Sequence, residues 1–211
     1  MKLHGYWRSS AAYRVRIALN LKGLQAESAT HALPRGEQRS EAYLALNPQG
    51  LVPALETEDG VFIQSTAIIE YLDERWPQPS LLPSSPAARA VVRGMAGIIS
   101  ADIHPINNLR ILKYLKNELG QAQAEIDQWA RHWIIEGFTA LEAMANPAKP
   151  FLSGDAPGLA DVFLVPQMAN ARRVATPLDA FPTLVAIDAR ATALEPFARA
   201  HPDAVKPARY D

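Results

Sequence analysis

Leu3 to Leu19 reads L-H-G-Y-W-R-S-S-A-A-Y-R-V-R-I-A-L. Leu3–Trp7 is a short apolar run, read as a strand. Ser9 and Ser10 make a polar hinge, and a helix is expected from Ala11 or Ala12 to Lys22, with Gly23 placed to end it. The first turn of a helix carries unpaired N–H groups and a partial positive charge. Hydroxyls placed there suit an anion, a thiolate included.

The alternation continues outward from this stretch. Ala26–Leu33 reads as a second strand, with Glu27, Ala29 and His31 on one exposed face. Ser40–Leu46 is helical and stops at Asn47-Pro48. Val52–Glu58 and Val61–Gln64 flank Asp59-Gly60, a strong hairpin signal. Ser65–Trp76 is a helix with Ile68, Ile69 and Leu72 on one face and Ser65 as its N-cap. The order β-α-β-α-β-β-α is buried by one sheet with helices on its faces. Pro77–Pro86 holds four prolines and three serines in ten residues and reads as a linker. Everything beyond it reads as helix, most clearly Ile126–Met144, whose apolar positions follow a 3.6-residue period and mark a core face. Later helices are expected over Leu159–Arg172 and Thr183–Ala200. The plan is a first domain over 1–78, a linker over 79–86 and an all-helical domain over 87–211.

Composition narrows the function. The chain has 211 residues, 48% hydrophobic and 20% charged, with a net charge of −1. That balance speaks against nucleic acid or an anionic membrane as partner. No apolar run approaches the ~18 residues of a membrane span. The chain opens directly into a strand with no leader pattern, so the cytoplasm is the expected location. It has no cysteine, which excludes disulfides and cysteine-ligated metals. His4, His31, His132 and His201 have no metal-like spacing, and no metal is expected. Any sulfur chemistry at the serine hinge must use a thiol from a bound small molecule.

Several separated motifs agree in order and spacing with one family. Ser9-Ser10-x-x-Tyr13-Arg14-Val15-Arg16-Ile17-Ala18-Leu19, Ala45-Leu46-Asn47-Pro48 and Leu51-Val52-Pro53-Ala54-Leu55 are three of them. Gln64-Ser65-x-Ala67-Ile68-Ile69-Glu70-Tyr71-Leu72 and Val165-Pro166-Gln167-x-Ala169-Asn170-Ala171 complete the set. With the domain plan, they resemble the zeta class of the cytosolic glutathione transferases. The resemblance implies an α+β thioredoxin-like first domain and an all-α second one, a homodimer, and glutathione as a regenerated cofactor. It implies an isomerase that turns a small cis dicarboxylate, maleylpyruvate or maleylacetoacetate, into its trans form. Maleylpyruvate to fumarylpyruvate is the preferred reaction. Two departures stand out: Ala11 where the class usually has cysteine, and Gly158 where it has Ser or Thr as an N-cap three residues before Asp161.

The resemblance also implies site residues. Ser9 is the preferred donor to the thiolate, with Ser10 the next choice and a helix cap, and Tyr6 a rival. Val52, before a cis Pro53, is expected to pair with the cysteinyl backbone of glutathione. Gln64 and Ser65 are expected to hold its γ-glutamyl end, with Gln49 nearby. His104 and Asn108 are expected to reach glutathione from a helix kinked at Pro105. Arg8, Arg110 and Arg173 are the candidate clamps for substrate carboxylates, because guanidinium forks match them. Without the resemblance, Ser65 is a simple N-cap, Pro53 an edge proline, His104 a packing residue and each arginine a surface ion pair. Ion pairs are expected of Arg14 and Arg16 inside the first helix. Two rivals stay open at this point: a transferase or dehalogenase that consumes glutathione on α-halo acids, and a non-catalytic binding scaffold.

Overall fold

The computed structural model of the chain describes residues 1–208. The chain divides into two units, Met1–Ser80 together with the described residues from Ala193 onward, and Leu81–Thr192.

The first unit is built on four strands: β1 (Lys2–Gly5), β2 (Glu27–Thr30), β3 (Ala54–Thr57) and β4 (Gly60–Ile63). Their order is β2-β1-β3-β4. β1 runs parallel to β2 and antiparallel to β3, and β4 is antiparallel to β3. Helices α1 (Ser10–Leu21), α2 (Glu41–Leu46) and α3 (Ser65–Arg75) complete the expected βαβαββα order. Thr57 pairs with Gly60, so the hairpin loop is Glu58-Asp59, one residue earlier than the Asp59-Gly60 reading. α1 ends in a glycine turn: Gly23 takes φ 66°, and its N–H and that of Leu24 return to the carbonyls of Asn20 and Leu19.

The expected apolar faces are the core. Val15, Ile17 and Ala18 of α1 and Ile68 and Leu72 of α3 are completely buried. Lys22, at the end of α1, is buried with them. It donates to Asp73 of α3 at 2.5 Å and to the carbonyls of Trp76 and Pro79 at 2.7 and 2.6 Å. A buried ammonium is tolerated only when so fully bonded.

Helices α9 (Glu195–Ala200) and α10 (Pro202–Val205) belong to this unit. α9 lies along α1: Asn20 donates to the Pro196 carbonyl at 2.8 Å, Arg16 to the Ala200 carbonyl at 3.0 Å, and Phe197 is fully buried. The sequence plan instead gives 87–211 to a helical domain, and the last three residues of that range lie outside the described ones. The expected helix over Thr183–Ala200 is also two helices, α8 (Pro182–Thr192) and α9. The break falls at Ala193-Leu194, just ahead of Pro196, which has no N–H to continue the helical ladder.

The second unit is helical: α4 (Pro86–Gly97), α5 (Leu109–Asn117), α6 (Gln123–Met144), α7 (Leu159–Arg173) and α8. α6 buries Ile126, Ala130, Ile134, Phe138 and Leu141, as its periodicity predicts. α7 is buried on nearly all sides. Its N-terminus explains Gly158. A Cβ there would stand 2.6 Å from the Leu81 carbonyl oxygen and 2.9 Å from the Ser153 Cβ, so no serine or threonine fits. Ser153 caps from outside instead, accepting from the Ala160 N–H at 3.1 Å. The Asp161 carboxylate accepts the N–H groups of Leu152, Ser153 and Gly158 at 2.7, 3.1 and 3.0 Å. Burial pushes the Asp161 pKa up, and these bonds pull it back.

Candidate functional site

Strand directions bring the expected first-unit residues together. His4, Ala54 and Ile63 are paired across β1, β3 and β4 and form one row of the sheet. The next step beyond that row is Gly5 leaving β1, Pro53 entering β3 and Gln64 leaving β4. The β1–α1 turn with Ser9, the Val52–Pro53 entry and the Gln64–Ser65 junction therefore share one end of the sheet. α1 and α3 both begin there, so two helix N-termini supply N–H donors to the same place.

Ser9 is the N-cap of α1: its Oγ accepts from the Ala12 N–H at 3.2 Å. That bond uses an oxygen lone pair and leaves the hydroxyl hydrogen to donate elsewhere. Ser10 is the first helical residue, not the cap, which corrects the expected division of labour. Tyr6 is buried and lines a separate cavity with Leu19 and Leu24. Arg8 is exposed, with its guanidinium 5.5 Å from the Trp7 ring centroid.

The Val52–Pro53 bond is cis, as the resemblance implied. Val52 lies just outside the ladder, which begins at Ala54. The loop before it is held from behind. Tyr43 Oη and Asn47 Nδ2 donate to the Leu51 carbonyl at 2.6 and 2.7 Å, and Asn47 Oδ1 accepts from the Gln49 N–H at 3.0 Å. The sequence marked Asn47 as a helix stop and part of a family motif, and it contains no signal for Tyr43.

Gln64 occupies the N-cap position of α3 with φ 68° and gives the helix no side-chain cap. A non-glycine residue with this backbone is strained, and such strain gathers at functional sites. Its amide donates to the Gln49 side chain at 2.8 Å, joining two expected site residues. Ser65 is the first helical residue, buried, and accepts from Arg14 Nη1 at 3.3 Å. Ser65 is therefore not the N-cap that sequence suggested. Arg14 is wholly buried, and desolvation lowers its pKa to about 9, so it stays a cation at neutral pH. Arg16 donates to two carbonyls, of Ala200 and Trp7, and to none of the carboxylates among the described residues, where an ion pair was expected.

The remaining candidates lie in the second unit. A π-helical stretch, Ile98–Ile103, follows α4, and the helix ends there. Pro105 thus ends a helix where a kink was expected. His104 is half-buried, and Asn108 is the N-cap of α5, accepting from the Arg110 N–H at 3.2 Å. Arg110 is exposed. Arg173 donates to the Asn170 side chain, while Arg172 bonds Asp188 at 2.6 Å. No cluster of metal-ligating side chains occurs among the described residues, and no helix among them is long and apolar enough to cross a membrane.

The donor set at the end of the sheet fits glutathione. A hydroxyl with its hydrogen free stands at one helix N-terminus. A second N-terminus, uncapped by a side chain, suits a carboxylate, and a strand entry between them suits a peptide backbone. Comparison with known proteins agrees. Residues 3–80 match the N-terminal domain of glutathione S-transferases. The chain is 48% identical to a maleylacetoacetate isomerase of Pseudomonas aeruginosa, with 96% of each chain covered. It is 48% identical to a maleylpyruvate isomerase of a Ralstonia species, covering 97% of this chain and 98% of the other. A solved holo maleylpyruvate isomerase, described as a bacterial zeta-class glutathione transferase, superposes with a TM-score of 0.95 at 46% identity, covering 98% of this chain and 99% of that one.

Proposed function

This chain belongs to the zeta class of the glutathione transferases and is a glutathione-dependent cis–trans isomerase, and we propose that it converts maleylpyruvate to fumarylpyruvate. The observation that carries the assignment of the site is the convergence of Ser9, Val52–Pro53 and Gln64–Ser65 at one end of the sheet. Glutathione, when bound, supplies a thiolate that adds reversibly to the cis double bond and is released unchanged after rotation.

The protein's part is to bind, ionise and orient. Ser9 donates its hydroxyl hydrogen to the thiolate, and the α1 N-terminus adds its dipole. Ser10, next along the chain, is the second hydroxyl at this point. Val52 pairs by its backbone with the cysteinyl residue, as in strand addition. Gln64, set by its contact with Gln49, and Ser65, set by Arg14, take the γ-glutamyl end. His104 and Asn108 are assigned to glutathione from the second unit. Arg8, Arg110 and Arg173 are assigned to the substrate carboxylates, and a guanidinium also meets charge that develops on the conjugated carbonyl oxygen. The cysteine missing at position 11 is not needed, because the cofactor brings the only sulfur. A homodimer in the cytoplasm completes the reading.

Maleylacetoacetate is the second substrate, favoured by the relative that bears its name. The test follows loss of each cis substrate with and without glutathione, in wild type and Ser9→Ala, with glutathione assayed afterwards. The reading expects faster turnover of maleylpyruvate, an absolute need for glutathione and no consumption of it. Glutathione lost one-for-one would identify a transferase or dehalogenase instead.

A further inference from the structure

A cavity of about 400 Å³ lies in the first unit, away from the residues assigned above. Its walls come from β1 and the following turn, the second half of α1, β2 and α9. Neither Ser9, Val52, Gln64, Ser65 nor Arg8 lines it. The volume falls within the range of small-molecule sites. Leu3, Trp7, Leu19, Leu24 and Val205 give it apolar walls.

The polar side of the lining has one sign. Among the described residues it includes the guanidinium groups of Arg16 and Arg199 and no carboxylate. Arg199 is exposed and already paired with Glu195 at 2.9 Å. Arg16 is different. It bonds the carbonyls of Ala200 and Trp7 at 3.0 and 3.1 Å, and its guanidinium lies 5.3 Å from the Tyr13 ring centroid. Among the described residues, no carboxylate pairs with it. Burial lowers its pKa to about 10, so it remains charged. A desolvated cation held only by carbonyl dipoles and a ring lacks its natural counter-ion, and a carboxylate supplies it in the strongest geometry.

We propose that this cavity is a second ligand site, for a small aromatic carboxylate whose acid group meets Arg16 and whose ring lies among Trp7, Leu19 and Leu24. The ligand is an anion with a flat apolar body, because the walls offer apolar surface and the half-buried guanidinium of Arg16. The inference does not depend on which substrate the isomerase uses.

The test is calorimetric titration of the full chain with 2-naphthoate at saturating glutathione, and with the neutral analogue 2-naphthylmethanol. The site predicts one naphthoate per chain, undisplaced by glutathione or the cis substrate, and at least tenfold weaker binding of the alcohol. Arg16→Gln should weaken naphthoate at least tenfold. Ser28→Phe narrows the cavity from the exposed edge strand without touching Arg16, and should block binding while isomerase turnover is unchanged. That variant keeps the test valid if Arg16→Gln does not fold. Equal affinity for acid and alcohol, no binding at all, displacement by glutathione or substrate, or full binding by Ser28→Phe would each overturn the proposal.

Discussion

Two side chains at the end of the sheet have roles that can be separated by substitution. Ser9 caps α1 by accepting from the Ala12 N–H, which leaves its hydroxyl hydrogen able to donate. Each unit of thiol pKa depression is worth about 1.4 kcal/mol. Ser9→Ala is expected to raise the pKa of bound glutathione by about one to two units and to lower turnover at neutral pH by roughly 10- to 100-fold. The pH–rate profile of the variant checks this: its activity should recover in alkali, whereas a merely misfolded variant would not recover. Gln64 is strained at φ 68°, and strain of this kind costs about 1–3 kcal/mol. Gln64→Gly relieves it while removing the amide. The expected outcome is unchanged or higher thermal stability together with a KM for glutathione raised by about tenfold, the cost of one lost charge-assisted contact. A fall in stability with an unchanged KM would show that the side chain is structural only.

At the scale of elements, the entry to α7 depends on a division of capping between Asp161 and the loop at Leu152-Ser153. Ser153→Ala removes one cap and should cost about 1 kcal/mol. Asp161→Ala strands two buried N–H groups and a half-buried one and should cost about 3 kcal/mol or more. Gly158→Ser, which restores the family's usual residue, should destabilise because of the Leu81 carbonyl 2.6 Å away. Denaturant unfolding of the three variants orders them. A second element-level device lies between β1, β2 and β3. His4 bonds the carboxylate of Glu56 on one side, and its Nδ1 lies 2.9 Å from His31 Nε2 on the other. His31 packs on Tyr43, whose hydroxyl holds the Leu51 carbonyl. Burial lowers the His31 pKa, His4 and Lys2 lower it further, and Glu37 opposes them. A histidine with a lowered folded pKa binds its proton more readily when unfolded. Its contribution is therefore complete above the unfolded value of about 6.5 and declines as pH falls toward the folded value. Glu56, whose pKa is lowered by its bond to His4, adds a further loss at lower pH. Urea unfolding should give a flat stability near neutrality and a decline below about pH 6.5, reduced in His31→Gln.

Across the whole molecule, the described residues from Ala193 onward return to the first unit. Phe197 is fully buried, and replacing a buried phenylalanine by alanine costs about 3–5 kcal/mol. Phe197→Ala is expected to lower the melting temperature by several degrees, about 2–4 °C for each kcal/mol in a chain of this size. An unchanged melting temperature would mean that α9 contributes little to the stability of the unit. The elements with strong periodicity or strong punctuation were legible in the sequence: β1–α1, the hairpin, α3, α6 and α7 all stand close to where pattern placed them. The junctions that carry the site motifs were legible through the family resemblance, while the capping expected of Ser10 and Ser65 falls to other positions. Details that depend on distant partners were not legible. Arg14 behind Ser65 and α9 along α1 join residues far apart in the chain, and Ser153 serving the α7 N-terminus and Tyr43 behind Leu51 join residues across loops that no helix or strand period relates.

The sequence by itself determined the βαβαββα order, the helical remainder, the absence of any cysteine and the polar strand–helix junctions at Ser9-Ser10 and Gln64-Ser65, since each follows from local periodicity or residue chemistry. Only the tertiary structure decided that Ser9 and not Ser10 is the cap, that Pro105 ends a helix, that the last helices return to the sheet unit, and that Arg16 lies half-buried beside a cavity with no carboxylate partner among the described residues. Those outcomes are set by which distant groups satisfy a buried N–H, carbonyl or charge, and no local pattern encodes the partner.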